Sequence, residues 1–286
     1  MQASKLTHGI AGLLLLAAFL MSVTVRADTV EVKFPSGLTG MADYRTGKPG
    51  FPAVLLLHGF LQTRNSPPMN RLADALADSG YPVLVPTLTL GISRRNKSLS
   101  CEAVHKHTLQ DDVQEIDHWV NWLGSHGYKK IILIGHSSGS KDLVAYLSGA
   151  PNTRVARIIL TSIVPIHVDA EQYRKARAEK PPAPGQAAPP LRRFTIAYCK
   201  NNYAATLPAY LSYADWTGDF IMGGLAKINV PADVVLGSKD QVLPPGWQAQ
   251  LMQGRAPVHL IEGAGHFFES EYEFELSDRV IEILKR

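Results

Sequence analysis

The chain has 286 residues, of which 45% are hydrophobic and 19% are charged, and its formal net charge is +4. This composition provides for a substantial core and excludes a disordered chain or a coiled coil. The length fits one large α/β domain with an insertion, or two small domains. No long basic run or basic helix face accompanies the positive charge, so we expect no nucleic-acid partner.

Residues 1–27 have the pattern of a signal peptide. Lys5 and His8 precede an apolar stretch over about residues 10–25, and Val25 and Ala27 occupy the −3 and −1 positions of a cleavage site. The stretch is shorter than the roughly 20 residues that a spanning helix needs. We expect cleavage after Ala27, export to a periplasm or the exterior, and no stable membrane span afterwards. An uncleaved anchor is the alternative.

The first part of the mature chain has the pattern of a βαβ unit. In residues 30–34 and 41–45, apolar and polar side chains alternate weakly, which predicts edge strands. Residues 53–58 form a continuous apolar run that predicts a buried parallel strand, and residues 81–86 predict the next strand. Between them, Ser66 and the prolines after it predict the start of a helix. This order requires a right-handed crossover and a parallel sheet.

A long loop follows the second of these parallel strands, and we expect it at the carboxyl edge of the sheet, where ligands bind in open α/β folds. Cys101, His105, His107 and Asp111 do not have a standard zinc spacing, so we expect no metal site. Thr108 and Asp111 predict a capping box at the start of the next helix.

Cys101 and Cys199 are the two cysteines of the chain. An oxidising compartment would allow them to pair and tie the long loop to a later segment. Two unpaired, buried cysteines are the alternative.

Residues 129–141, KKIILIGHSSGSK, change abruptly from an apolar run to small and polar residues. The run predicts a strand buried on both faces, and the residues after it predict a helix. Ser137 lies on the turn between them. Gly135 and Gly139 allow strand and helix to approach without a Cβ clash, so the serine hydroxyl is expected to be exposed at a helix N-terminus.

An insertion interrupts the second half of the sheet. Residues 156–164 predict a buried strand, but the next one, residues 232–236, follows only after about 65 residues, far more than an ordinary crossover needs. Residues 165–230 therefore hold an insertion, with a proline-rich linker over 181–190. Its aromatic residues either line a pocket or form the small core that the insertion needs to fold.

Two further polar residues follow predicted strands. Asp240 lies just after the strand at 232–236, although it is also placed to cap the next helix. His266 follows the strand at 258–261 in a loop with glycine at 263 and 265, which can bring the imidazole to the sheet edge. Imidazole takes the proton of an attacking serine, and a carboxylate orients the imidazole.

The elbow sequence Gly-His-Ser-Ser-Gly, the segment His58-Gly59-Phe60, and the order Ser137, Asp240, His266 resemble the α/β-hydrolase family of serine esterases and lipases. The resemblance implies a mostly parallel central sheet of about eight strands with helices on both faces. It also implies a core of residues 28–164 and 231–286 with residues 165–230 as an inserted cap.

The same resemblance implies roles for single residues. Ser137, Asp240 and His266 would be catalytic, and the backbone N–H of Phe60, or of Leu61 beside it, would form an oxyanion hole with that of Ser138. His58 is expected to support this loop. For the substrate pocket we expect contributions from the side chains of Leu61, His136, Tyr210 and Trp216.

The sequence thus predicts an exported serine hydrolase that needs no cofactor and cleaves small carboxylic esters of short to medium acyl length. The alternatives are an amidase, peptidase or thioesterase on the same fold, or a non-catalytic binding protein of the cell envelope. Oligomeric state is left open.

Overall fold

The computed structural model describes residues 27–149, 152–179 and 190–286. The predicted signal peptide, apart from Ala27, and the linker predicted over 181–190, apart from Pro190, lie outside these ranges. Within them the elements follow in the order β1 (Asp28–Lys33), β2 (Thr39–Arg45), β3 (Ala53–Leu57), α1 (Met69–Asp78), β4 (Val83–Thr87), α2 (Leu109–Ser125), β5 (Ile131–His136), α3 (Ser138–Ser148), β6 (Val155–Thr161), α4 (Ala170–Ala178), β7 (Arg192–Ile196), β8 (Cys199–Ala205), α5 (Leu207–Ala214), α6 (Gly218–Lys227), β9 (Ala232–Gly237), α7 (Trp247–Met252), β10 (Val258–Ile261) and α8 (Tyr272–Leu284).

Eight strands form one sheet in the order β1-β2-β4-β3-β5-β6-β9-β10. The β1–β2 and β2–β4 pairs are antiparallel, and every pair from β4 to β10 is parallel. Parallel neighbours need crossover connections, and helices supply them. The predicted fold class, a mostly parallel sheet of about eight strands with helices on both faces, is confirmed.

The central strands are buried on both faces. Leu55 and Leu57 of β3 belong to the cluster that includes α2 and α3, whereas Val54 and Leu56 pack in the cluster with α1 and α8. Successive side chains of a strand point to opposite faces, so a strand covered on both sides is apolar at every position. No helix in the described ranges is long and apolar enough to span a bilayer.

Between β6 and β9 the chain leaves the sheet. Strands β7 and β8 pair as an antiparallel hairpin, and Phe194 of β7 stacks on Tyr210 of α5 with ring centroids 3.9 Å apart. Helix α6 instead packs on α3, since a Cβ at Gly224 would lie 2.6 Å from Val144 Cγ1. It therefore covers the sheet as the crossover helix. The described residues of 165–217 are called the cap below.

The cap is attached to the loop between β4 and α2. Cys101 and Cys199 form a disulfide, which decides between the two alternatives for these cysteines. Beside it, His105 donates its backbone N–H to Ala204 O at 2.8 Å, and Ala204 donates to Cys101 O at 3.1 Å. The loop is therefore joined to the cap hairpin by backbone hydrogen bonds as well as by the disulfide.

Of two predicted helix starts, one agrees with the structure and one does not. The capping box of Thr108 and Asp111 is present at the start of α2. Helix α1, however, begins at Met69, later than predicted from Ser66. The Ser66 hydroxyl accepts the backbone N–H of Thr63, upstream of the helix, and is therefore not its cap.

Candidate active site

The turn between β5 and α3 holds Ser137 in an unusual backbone conformation, with φ 54° and ψ −116°. A Cβ at Gly135 would lie 2.7 Å from backbone atoms of Gly139, and a Cβ at Gly139 would lie 2.4 Å from His58 O. Only glycine fits at these two contacts. The Ser137 N–H donates to Thr161 O at 2.9 Å, which ties the turn to β6.

Three polar side chains that are distant in sequence meet at the carboxyl edge of the sheet. Ser137 Oγ lies 2.9 Å from His266 Nε2, and Asp240 Oδ2 lies 2.8 Å from His266 Nδ1. Asp240 and His266 are both buried. The arrangement can pass the serine proton to imidazole while the carboxylate holds the other ring nitrogen.

Backbone contacts fix the acid and the base. Asp240 follows β9 in a turn in which its N–H donates to Gly237 O, and its Oδ1 accepts the N–H of Val242 at 2.8 Å. Ser162 donates its hydroxyl to His266 O at 2.8 Å. Because both ends of the Asp240–His266 pair are held by neighbouring strand ends, the pair is positioned before a substrate arrives.

Two backbone donors are available beside the serine. A Cβ at Gly59 would lie 3.5 Å from Ser137 Cβ, which places the loop after β3 against the turn. Among the described residues, no acceptor is found for the backbone N–H of Phe60 or of Ser138. Both residues line the cavity that contains Ser137. Their free donors are suited to an oxygen that gains negative charge.

A buried arginine and a buried histidine hold this loop. His58 Nε2 accepts the N–H of Leu88 at 3.1 Å, and His58 Nδ1 lies 2.9 Å from Gly59 O. Desolvation and the nearby Arg95 lower the pKa of His58 to about 3, so the ring is neutral and Nδ1 carries the proton. Arg95 donates to Gln62 O and Leu88 O, both at 2.7 Å. His58 therefore supports the loop, as predicted.

The cavity at Ser137 has a volume of about 430 Å³. Most of its wall is apolar, and the cap supplies part of it. The lining residues are Gly59, Phe60, Gln62, Ser137, Ser138, Lys141, Val164, Pro165, Ile166, His167, Ala197, Tyr198, Val242, His266 and Phe267. The volume lies within the range of small-molecule sites.

Four residues predicted for the substrate pocket do not line this cavity. Tyr210 is fully buried in the cap against Phe194, and Trp216 lines a groove on the outside of α2 and α3. The prediction for Tyr210 and Trp216 was wrong because the aromatic side chains near them form the core of the cap. Their spacing alone could not separate the two roles.

The other two lie close to the cavity without facing it. His136 is fully buried at the end of β5, where its Nδ1 is 3.1 Å from Thr161 Oγ1. Leu61 lines a separate cavity of about 20 Å³ behind Ser138. Both residues therefore pack behind the site, and neither has the predicted place in the wall at Ser137.

Some residues of the wall were missed by sequence reasoning. Lys141 lies in the first turn of α3, directly after the turn that holds Ser137, and this closeness in sequence could have identified it. His167 and Tyr198 reach the cavity from the cap. Their positions depend on how the cap folds over the sheet, for which the sequence holds no local signal.

Known proteins are similar to this chain in sequence or in fold. The curated protein epoxide hydrolase A of Mycobacterium tuberculosis is 25% identical over 214 residues, which are 74% of this chain and 54% of that protein. The chain thus spans about half the length of this curated relative.

Solved structures are similar over nearly their whole length. Est1E from Butyrivibrio proteoclasticus superposes with a TM-score of 0.64 at 15% identity, covering 90% of this chain and 97% of that one. The alpha/beta hydrolase GrgF from Penicillium sp. sh18 gives a TM-score of 0.69 at 16% identity, covering 92% and 99%. These similarities show a shared fold. A family model described as the alpha/beta hydrolase family matches residues 54–277. The chain therefore belongs to the alpha/beta hydrolase family.

Proposed function

We propose that the protein is a serine hydrolase that cleaves carboxylic esters of short to medium acyl length through a covalent acyl-enzyme. The observation that carries this proposal is the continuous contact from Ser137 Oγ through His266 to Asp240, at 2.9 and 2.8 Å. The free N–H groups of Phe60 and Ser138 beside it support the same reaction.

In the first half of the reaction Ser137 attacks the ester carbonyl. His266 Nε2 accepts the hydroxyl proton as the C–O bond forms, and Asp240 stabilises the resulting imidazolium. The carbonyl oxygen becomes an oxyanion and accepts hydrogen bonds from Phe60 and Ser138. Each such donor contributes about 3 to 4 kcal/mol to catalysis in hydrolases in which one was removed. Return of the proton to the leaving alkoxide releases the alcohol and leaves the acyl group on Ser137.

In the second half, water takes the place of the alcohol. His266 removes a proton from the water, the tetrahedral intermediate forms again at the same two donors, and its collapse releases the acid and restores the Ser137 hydroxyl. The same residues thus serve both half-reactions. No step requires a group beyond those of this chain and a water molecule.

The cavity indicates the size of the acyl group. A volume of about 430 Å³ with walls such as Val164, Ile166, Val242 and Phe267 accommodates a short or medium apolar chain. We therefore propose such substrates, and a clear preference for long acyl chains would contradict this part of the proposal.

The site supports epoxide hydrolysis less well, although that activity is in the name of the curated relative. Opening of an epoxide by serine would leave an ether on the enzyme, which water does not readily cleave. A carboxylate nucleophile would leave an ester that water can hydrolyse. The elbow presents Ser137, and no Asp or Glu is among the described residues that line the cavity.

We also propose that the protein acts outside the cytoplasm. The signal-peptide pattern of residues 1–27 supports export, and so does the Cys101–Cys199 disulfide, since such bonds persist in oxidising compartments. Sequencing the N-terminus of protein recovered from the periplasm or the medium is expected to give Asp28 as the first residue. Recovery of an uncleaved chain from the membrane would contradict export as a free protein.

A fluorophosphonate probe tests the chemistry directly, because it reacts with a serine that an adjacent base activates. The parent protein is expected to be labelled and to hydrolyse ethyl butyrate, whereas a Ser137→Ala variant of the same thermal stability is expected to do neither. Matched thioesters and amides would then test the two alternative activities. A folded parent that the probe does not label would favour the non-catalytic binding protein.

A further inference from the structure

A lysine is buried in the wall of the cavity at Ser137. Lys141 is 3% exposed, and it lines the cavity together with Ser137 and His266. It lies in the first turn of α3, directly after the turn that holds Ser137, and side chains of a helix incline towards the helix N-terminus, the end at which Ser137 lies. This orientation brings the ammonium towards the reacting serine.

The ammonium of Lys141 has no hydrogen-bond or ion-pair partner in the described part of the chain. Asp142, the next residue, faces a different cavity, behind Ser138, together with Asp112. Adjacent residues of a helix do not face each other, so this carboxyl affects Lys141 through its field only. Desolvation lowers the pKa of Lys141, and the field of Asp142 acts in the opposite direction and favours the charged ammonium.

The rest of the cavity contains nothing to balance that charge. Its described lining has no Asp or Glu, and its other ionisable side chains are His167, His266 and the Tyr198 phenol. Burying an ammonium without a counter-ion is unfavourable, and structural lysines with this degree of burial are normally paired. A negative group on a bound substrate would supply the missing partner.

We propose that Lys141 is a specificity residue that binds an anionic group of the substrate, so that the preferred substrates are esters that carry a carboxylate near the scissile bond. Lys141 and Ser137 line the same cavity of about 430 Å³, which places the carboxylate within the length of a small substrate from the carbonyl that Ser137 attacks. This inference depends on the proposed ester hydrolysis and names its substrate class.

Two series of esters test the inference and locate the carboxylate. In the first series the carboxylate is on the acyl side, in the monoethyl esters of succinic, glutaric and adipic acid. Each is compared with the ethyl ester in which a methyl group replaces the carboxylate. In the second series the carboxylate is on the alcohol side. Acetyl glycolate is compared with ethyl acetate, and 3-acetoxypropionate with propyl acetate. The parent is expected to show a higher kcat/KM for the anionic member of the pairs in at least one series.

The Lys141→Met variant is expected to lower the ratio of kcat/KM for the anionic ester to that for its neutral partner by about 10- to 100-fold, the range of a hydrogen bond to a charged group. Lys141→Arg, which keeps the charge, is expected to retain most of the preference. Lys129→Met removes an exposed lysine before β5 and controls for the change in net charge.

Inhibition of the parent protein tests the same inference without a variant, and therefore does not depend on whether a variant folds. Glutarate is expected to inhibit hydrolysis of ethyl butyrate at lower concentration than pentanoate does, because it has the second carboxylate. Cleavage of neutral esters without any anionic preference, or equal inhibition by the two acids, would overturn the role of Lys141 and leave the proposed function intact. Failure to cleave any ester or to react with the fluorophosphonate would overturn the proposed function itself.

Discussion

At the level of single residues, the backbone around Ser137 is strained where the proposed chemistry takes place. A positive φ is unfavourable for a residue with a Cβ, and such conformations persist only where surrounding contacts impose them. Here the contacts come from the glycines on either side and from the hydrogen bond to Thr161. The strain presents the hydroxyl to His266, and relaxing it would move the hydroxyl away.

Gly139→Ala tests how closely the turn must pack. Its new Cβ would lie 2.4 Å from His58 O and 2.7 Å from Leu57 O, both backbone atoms that cannot move aside. We expect a loss of about 2 kcal/mol or more in the free energy of unfolding, and a large loss of ester hydrolysis. Gly223→Ala in α6 is the matched control, because nothing lies within 4 Å of its new Cβ. It should be neutral or stabilise by about 0.5–1 kcal/mol in urea unfolding.

Glu115 links stability to pH. Its carboxylate accepts the Thr89 N–H at 2.8 Å, but desolvation raises its pKa from 4.5 to about 7. Between these values the folded protein binds more protons than the unfolded chain, so the contribution of Glu115 to stability is present below pH 4.5 and is lost as pH rises to 7. The whole shift corresponds to about 3 kcal/mol at most.

We therefore expect Glu115→Gln to become more stable relative to the parent as pH rises from 4 to 8, because glutamine does not titrate. Urea unfolding of both proteins at the two pH values measures this difference. Glu262→Gln, at an exposed position, controls for the loss of one carboxylate. A difference between parent and Glu115→Gln that is the same at both pH values would disprove the assignment.

At the level of elements, the site depends on two loops that lack regular structure of their own. The loop after β3 contributes Phe60, and the loop after β4 crosses behind it. Arg95, in the second loop, is buried and donates to carbonyl oxygens of both: Gln62 and Leu61 in the first, Leu88 and Lys97 in the second. From these bonds we expect Arg95 to be a positioning residue for the Phe60 N–H.

Arg95→Met is expected to lower kcat by about 100-fold with a smaller change in KM, since a displacement of about 1 Å in a positioned donor has that effect. Kinetics with ethyl butyrate would separate the two constants, and urea unfolding would report the accompanying loss of stability. Arg94→Met is the matched control, because Arg94 pairs with Glu31 at the surface, where ion pairs contribute little. Equal kinetic effects of the two substitutions would exclude the positioning role.

For the whole molecule, the sequence predicted what depends on local pattern. Continuous apolar runs identified the central strands, since both faces of β3 and β5 are covered, and the long interval between β6 and β9 led to the prediction of an insertion. The side chains of Ser137, Asp240 and His266 were predicted from strand ends that the topology brings to one edge. The inner wall of the site was not predictable in this way. Tyr210 packs in the core of the cap and Trp216 lies in a groove outside α2 and α3, and the burial of Lys141 and Arg95 depends on contacts between distant segments.

The connection between cap and core is the property of the whole molecule that can be tested most simply. The Cys101–Cys199 disulfide spans 98 residues of sequence and joins the loop after β4 to β8. In the chain-entropy model a cross-link of that span stabilises the folded state by about 4 to 5 kcal/mol, because it restricts the unfolded chain. We expect a Cys101→Ser, Cys199→Ser double variant to unfold at a correspondingly lower urea concentration than the oxidised parent.

The variant should still fold, because the backbone bonds of His105 and Ala204 hold the hairpin of the cap beside the loop after the covalent link is removed. Alkylation of the native and the reduced parent, followed by mass measurement, provides the control: both thiols should react only after reduction. If the double variant were as stable as the oxidised parent, the loop and the cap would have to be close together in the unfolded chain as well. In that case the noncovalent contacts of His105 and Ala204, rather than the disulfide, would fix the cap over Ser137.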